Sequence, residues 1–365
     1  MRSKKIQKAN VSIIAEVGVN HNGDLELALQ SIEEAAEAGA DYVKFQFFSA
    51  DALTTKSAPK ARYQEAAGSE SSGQQEMLRE LELSKVEQEK IWKKCQSMDV
   101  LPMASAFDVV KLANLVCELD AAVLKIPSGE ITNGPFIYEH ATSGRPIILS
   151  TGMANDKEIT QALWVLGLGY LKGDPKSEVP TSYGAFSDDI KKCLEDHVTL
   201  LHCTTEYPTP YVEANISAIQ SMAQTYGLAV GYSDHTIGEV AGIMAVALGA
   251  SVIEKHFTLD RELDGPDHKA SMEPREFQRY VRLIRCAEEC RGDGVKQAQP
   301  SEIPNKIVAR KSLVARKKIA QGEKFTENNV TTKRPGNGLT PMKYWGLLET
   351  VAEKAYEPDD AIELF

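Results

Sequence analysis

Between residues 11 and 290 the chain alternates short apolar runs with helix-like segments eight times, and that alternation limits its fold more than any other feature. The runs read as strands near 12–16, 42–46, 103–104, 123–126, 147–150, 198–202, 230–233 and 251–256. Predicted helices separate them, near 25–36, 86–98, 108–118, 132–143, 156–168, 213–226, 237–248 and 274–290. In the first helix Leu25, Leu29, Ile32 and Ala36 line one face, with Asp24 as N-cap and Gly39 as stop. Pro274 suits the first turn of the last helix. Eight such units fit a (β/α)8 TIM barrel, whose usual size is roughly 250 residues. A doubly wound open sheet is the competing arrangement, but the turn after the first strand reads Gly18-Val-Asn-His-Asn-Gly23, without the G-x-G-x-x-G or Walker pattern. The stretch 169–197 reads as an irregular insertion.

The chain has 365 residues, enough for one large domain and a smaller one. The reading is a barrel over 1–290, a polar linker over 291–305 and a small C-terminal domain over 306–365, with a strand at Ser312–Ala315 and a turn at Gln321-Gly322. Sixty residues are marginal for independent stability, so this piece is expected to dock on something. Net charge is −11; the segment Met1–Asn10 is basic, but no Lys/Arg run in the chain exceeds three residues, which argues against nucleic acid or an anionic membrane as partner. The apolar stretch Val240–Ile253 is short of the roughly 20 residues that span a bilayer. Val11–Val19 is broken by Glu16 and makes a poor signal-peptide core. The six scattered cysteines lack zinc-type spacing. Reduced thiols in a cytoplasmic protein are the expectation.

In a barrel, chemistry sits where the strands end. The predicted ends carry Glu16; Lys44 and Gln46; Ser105; Lys125, Ser128 and Glu130; Ser150; His202 to Tyr207; Ser233 to His235; and Glu254 to His256. Lys44 and Lys125 stand inside apolar strands, where a buried ammonium is costly without a negative partner. They suggest a site for an anion, with Ser105, Ser128, Ser150 and Ser233 as further donors. The alternative is that both lysines pair with Glu16 and Glu254 and only hold the barrel together. A Schiff-base lysine is a third option, but it needs a depressed pKa, against which the surrounding carboxylates argue.

His235 and His256 end adjacent strands and suit one divalent cation of Mn²⁺, Co²⁺ or Fe²⁺ character, completed by water and substrate oxygen. Hydrogen-bonding histidines without metal are the alternative. His21 is a ligand-facing or a turn residue, and His202 supports the site rather than ligating. An anion site beside such a pair points to metal-assisted addition to a carbonyl, with an enol phosphate such as phosphoenolpyruvate in the anion site.

The strings Ile14-Ala-Glu-Val-Gly-Val-Asn-His-Asn-Gly23, Val43-Lys-Phe-Gln46, Lys125-Ile-Pro-Ser-Gly-Glu130, Leu149-Ser-Thr-Gly-Met153, His202-Cys-Thr-Thr-Glu-Tyr-Pro-Thr-Pro210, Gly231-Tyr-Ser-Asp-His-Thr236, Glu254-Lys-His-Phe-Thr258 and Lys333-Arg-Pro-Gly-Asn-Gly338 resemble, in order, the bacterial sialic acid synthase family, which includes N-acetylneuraminate, legionaminate and pseudaminate synthases. The resemblance implies a TIM barrel with a small antifreeze-like (SAF) domain, a domain-swapped homodimer, and condensation of phosphoenolpyruvate with an N-acetylmannosamine-type sugar. It implies His235 and His256 as ligands of a divalent metal, commonly Mn²⁺, with Co²⁺ or Mg²⁺ as substitutes. Lys44, Lys125, Ser105, Ser128, Ser150 and Ser233 would surround phosphoenolpyruvate, Glu16 would act at the reacting centre, and Glu16, Lys44, Lys125 and Glu254 are the candidate catalytic residues. Gln46, Glu130, Tyr207 and Asp267 would lie near the sugar, and Arg334 would reach the partner subunit's sugar site. Thr205-Glu206 stands where N-acetylneuraminate synthases carry Asn and an apolar residue, and resembles the legionaminate type. A related barrel aldolase or synthase with another acceptor, and a non-catalytic glycan-binding protein, are the other readings.

Overall fold

The computed structural model describes residues 11–60 and 73–363; the basic segment Met1–Asn10 lies outside the described residues. The chain divides into two compact units at Gly292/Asp293.

In the first unit eight parallel strands close into a barrel in sequence order: β1 (Ser12–Gly18), β2 (Tyr42–Phe47), β3 (Leu101–Ala106), β4 (Leu124–Ile126), β5 (Ile147–Ser150), β6 (Val198–His202), β7 (Ala229–Asp234) and β8 (Val252–His256). β1 pairs with both β2 and β8, so no edge is left and the open-sheet alternative is excluded.

The principal helices are α1 (Leu25–Glu37), α2 (Lys85–Ser97), α3 (Val109–Ala113, continued by a π-turn), α4 (Gly134–Thr142), α5 (Asp156–Leu171), α6 (Asp188–His197), α7 (Ala218–Tyr226), α8 (Val240–Ala247) and α9 (Pro274–Arg291). Their starts follow local chemistry. Asp24 Oδ1 accepts from the Glu26 N–H at 2.7 Å at the head of α1. Ser84/Glu87 and Asn155/Glu158 form capping boxes on α2 and α5. Gly39, at φ +94°, takes the chain out of α1 in a conformation that favours glycine.

The stretch read as an irregular insertion is irregular over 172–187, apart from one 3-10 turn, and helical at both ends. α5 runs on to Leu171, and α6 occupies Asp188–His197, entering β6 directly. Ile190 and Leu194, four residues apart, are buried on one face of α6, and Ile190 packs against Gly167 of α5. The polar majority of that segment hid a two-residue apolar face.

Period-two alternation sorts the strands. One set of side chains joins the layer between barrel and helices. The other closes the barrel interior with an apolar plug of Ile14, Tyr42, Met103, Val123, Ile148, Leu201 and Val252. Gly231 completes that layer, because a Cβ there would stand 2.4 Å from the Val252 carbonyl oxygen and 2.6 Å from Leu201.

The second unit pairs β9 (Ser312–Ala315) antiparallel to β10 (Val330–Lys333) around a core of Leu313, Ile319, Phe325, Val330, Leu347, Tyr356 and Ile362. A short helix, Ile303–Ala309, begins inside the stretch read as a linker. No helix among the described residues is long and apolar enough to cross a membrane.

Gly231→Ala should overpack the plug and lower unfolding stability by about 1–3 kcal/mol, read as the urea midpoint. An unchanged midpoint would mean that the interior is less tightly filled than this geometry requires.

Candidate active site

Two residues beyond each plug residue, on the same inward face and toward the C-terminal rim, stands a residue of different chemistry. Ile14 leads to Glu16, Tyr42 to Lys44, Met103 to Ser105, Val123 to Lys125, Ile148 to Ser150, Leu201 to Cys203, Gly231 to Ser233 and Val252 to Glu254. All eight are buried. The apolar plug therefore carries a polar layer directly on top of it.

Glu254 is the hub of that layer. Lys44 Nζ and Lys125 Nζ each lie 3.3 Å from one of its oxygens, and the Ser233 hydroxyl donates to it at 2.7 Å. Lys44 also reaches Glu16 at 3.0 Å, and Gln46 Nε2 donates to the other Glu16 oxygen at 3.1 Å. Burial opposes ionisation of Glu254, but Lys125 and Lys44 outweigh it and hold the carboxyl far below the usual range. Glu16 moves the other way: burial, with Glu254 beside it, raises its pKa despite Lys44. Burial pulls on Lys44 as well, yet Glu16 and Glu254 leave it raised. Lys125 is lowered, because burial and the neighbouring Lys44 exceed the pull of Glu254. The expectation that carboxylates keep both lysines from depression therefore holds for Lys44 and fails for Lys125, which shares a single carboxylate.

Other predicted residues gather around this cluster. Ser105 faces Lys125 across β3 and β4, and its buried Oγ has no partner among the described residues. Ser128 Oγ accepts the Gly152 N–H at 3.1 Å and touches Cys203 Sγ at 3.2 Å. Thr205 Oγ1 is buried without a partner among the described residues and leans over Gly152, 2.3 Å from where a Cβ would sit. Only glycine fits there, which leaves a backbone donor and two hydroxyls converging on one spot. Ser150 ends β5 in the same layer. Glu130 is held locally, accepting from Asn133 Nδ2 at 2.6 Å. Arg334 belongs to the second unit and is exposed just after β10.

The histidine pair sits at the rim, with ring centroids 5.5 Å apart. Tyr207 packs over the His235 ring, centroids 4.2 Å apart, and meets the His256 ring edge-on at 5.3 Å. His235 Nδ1 donates to the Thr204 carbonyl at 2.7 Å, which fixes its tautomer and leaves the Nε2 lone pair. Nε2 is 3.2 Å from Ser233 Oγ, whose proton is committed to Glu254. His256 Nδ1 is buried without a hydrogen-bond partner among the described residues, 3.8 Å from Asp267. Burial lowers His235 to about 4 and, with His235 beside it, holds His256 well below its usual value. Two neutral imidazoles with uncommitted nitrogens fit a divalent cation. Among the described residues no group of three or more His, Cys, Asp or Glu side chains is gathered for a metal, so the protein would supply two nitrogen ligands and little else. Burial and Glu16 raise Asp267 to about 7.

His21 is a turn residue, accepting the Gly23 N–H at 3.0 Å. His202 reaches the Ala214 carbonyl and stacks on Tyr232, away from the charge cluster. Missed in the sequence were Gly152, Cys203 and the Thr204 carbonyl. Their signal was position: each follows a strand end by one or two residues.

Residues 31–296 match the NeuB family, and residues 310–351 match the SAF domain. The chain belongs to the NeuB family. It is 45% identical to the N,N'-diacetyllegionaminic acid synthase of Campylobacter jejuni, across 96% of this chain and 98% of that one. It is 41% identical to the synthase of the same name from Legionella pneumophila, across 91% and 87%. Among solved structures, the N-acetylneuraminic acid synthetase of Leptospira borgpetersenii, in complex with citrate, is 34% identical with a TM-score of 0.67, across 81% of this chain and 90% of that one. This barrel thus carries its ionisable layer between an apolar floor and a histidine rim.

Four histidines, His21, His140, His235 and His268, are lowered to about 4, with burial the largest cause in each. The unfolded chain protonates them near 6.5, so the stability they contribute is complete above pH 6.5 and is lost as pH falls toward 4. The urea midpoint of the metal-free protein should fall across that window, and His140→Asn, remote from the rim, should flatten the slope. A slope unchanged by His140→Asn would contradict the assignment.

Proposed function

We propose that this chain condenses phosphoenolpyruvate with the 6-deoxy-2,4-diacetamido analogue of N-acetylmannosamine, giving N,N'-diacetyllegionaminate and phosphate. The observation that carries the reaction class is the buried layer in which Lys44 and Lys125 share Glu254 beside the unpartnered Ser105 hydroxyl. The two legionaminic acid synthases, at 45% and 41% identity, support this acceptor.

Lys44, Lys125 and the hydroxyls of Ser105, Ser128, Ser150 and Ser233 would hold the phosphate and carboxylate of the enol phosphate. A divalent cation held by His235 and His256, Mn²⁺ by preference, would polarise the aldehyde oxygen when bound. Electrons of the enol double bond form the new C–C bond at the aldehyde carbon, and the aldehyde oxygen takes a proton. Water adds at C2 and loses a proton, and the C2–O bond to phosphate then breaks as the new C2 hydroxyl becomes the carbonyl and its proton passes to the departing phosphate. Glu16 suits the proton steps, because its raised pKa lets it hold a proton for the aldehyde oxygen and then accept one from water. Gln46 orients Glu16 through its 3.1 Å hydrogen bond. Tyr207, Asp267, Glu130 and Thr205 would line the sugar end. The proposal extends to a homodimer in which exposed Arg334 completes the sugar site of the partner subunit.

Phosphate release from phosphoenolpyruvate with Mn²⁺ should occur with 2,4-diacetamido-2,4,6-trideoxymannose and be at least tenfold slower with N-acetylmannosamine. Preference for N-acetylmannosamine would make the chain an N-acetylneuraminate synthase, and release with neither sugar would reject both acceptors. In the same assay Arg334→Ala should raise the sugar KM and leave the phosphoenolpyruvate KM nearly unchanged.

A further inference from the structure

β7 and β8 carry a second charged pair, on the face opposite the active site. Asp234 and Lys255 are register partners in the two strands, one residue along from Ser233 and Glu254. Their side chains therefore point outward, between the barrel and its helices, where both are essentially inaccessible to solvent. Lys255 Nζ lies 3.1 Å from Asp234 Oδ2 and donates to the Thr236 carbonyl. Tyr280 of α9 donates to the same Asp234 oxygen at 3.0 Å. Asp234 Oδ1 accepts the Thr236 N–H at 2.9 Å and its hydroxyl at 2.7 Å. Each Asp234 oxygen thus meets two donors. Gly242 of α8 makes room for this arrangement, since a Cβ there would meet the Tyr280 oxygen at 1.7 Å.

A buried ion pair is weak evidence of stabilisation, because apolar residues of similar volume often serve a fold as well. What this pair does that apolar residues cannot is hold two backbones at one offset. Asp234 and Thr236 flank His235, and Lys255 precedes His256. The network thus grips both histidine-bearing segments from behind, while Ser233 and Glu254 grip them from the front.

We infer that the Asp234–Lys255 pair, clamped by Tyr280, is a positioning device that sets the spacing of the His235 and His256 rings for a shared cation. The inference rests on the reading of these histidines as cation ligands. Neither Asp234 nor Lys255 touches the reacting atoms; they act through the two strands.

The test is the double substitution Asp234→Asn with Lys255→Met in the full chain, which removes both charges and nearly preserves shape. Mn²⁺ titration should show affinity weakened about ten- to a hundredfold, with the melting temperature within a few degrees of the unsubstituted protein. Unchanged Mn²⁺ affinity in a folded double variant overturns the inference. If the double variant does not fold, Tyr280→Phe decides. Weaker Mn²⁺ binding at a native melting temperature supports the device, and native binding overturns it. If the unsubstituted protein itself takes up no Mn²⁺, the cation reading falls instead. The positioning claim is then judged by the crystal structure of the double variant, where rings still 5.5 Å apart would overturn it.

Discussion

The Glu254 carboxylate, buried between two lysines and a serine hydroxyl, is the interaction on which the site depends. A carboxylate in that position would be expensive alone, and so would either ammonium. Together they are affordable only where strands from opposite parts of the chain converge, which the closed barrel provides. Lys44 comes from β2, Lys125 from β4, Ser233 from β7 and Glu254 from β8. The apolar plug beneath them keeps the layer dry and the charges strongly coupled.

The same layer is poised rather than neutralised. Glu16 holds a proton more readily than an ordinary glutamate, and Lys125 gives one up more readily than an ordinary lysine. Two ammonium groups beside the unpartnered Ser105 hydroxyl suit an anion better than a structural ion pair would. The rim above has the opposite character: His235 and His256 stay neutral, and Tyr207 packs against both. An anion below and a polarisable carbonyl above is the arrangement that an enol-phosphate condensation needs.

Much of this was legible in the residues. Each side chain of the buried layer stands two positions after a plug residue, so the inward face of the barrel is written in two tiers at strand spacing, from Ile14 and Glu16 to Val252 and Glu254. What stayed hidden was what period two assigns to the other face. Lys255 sits between Glu254 and His256 and is as buried as Lys44, yet it belongs to the Asp234–Tyr280 network behind the sheet. Its partner Tyr280 comes from a helix some 25 residues later, which no local pattern announces. α6 was hidden for another reason: only Ile190 and Leu194 mark its buried face within a polar segment. The depression of Lys125 depended on how many carboxylates the fold would bring to it, and that count exists only in three dimensions.

The account stands on Lys44 and Lys125 serving a bound anion rather than only tying the barrel together. The direct measurement is calorimetric binding of phosphoenolpyruvate to the protein and to Lys125→Met, with melting temperatures recorded for both. The account predicts binding to the unsubstituted protein that weakens more than tenfold in Lys125→Met while the variant remains folded. Equal affinity in the two proteins would contradict it and return both lysines to a purely structural role.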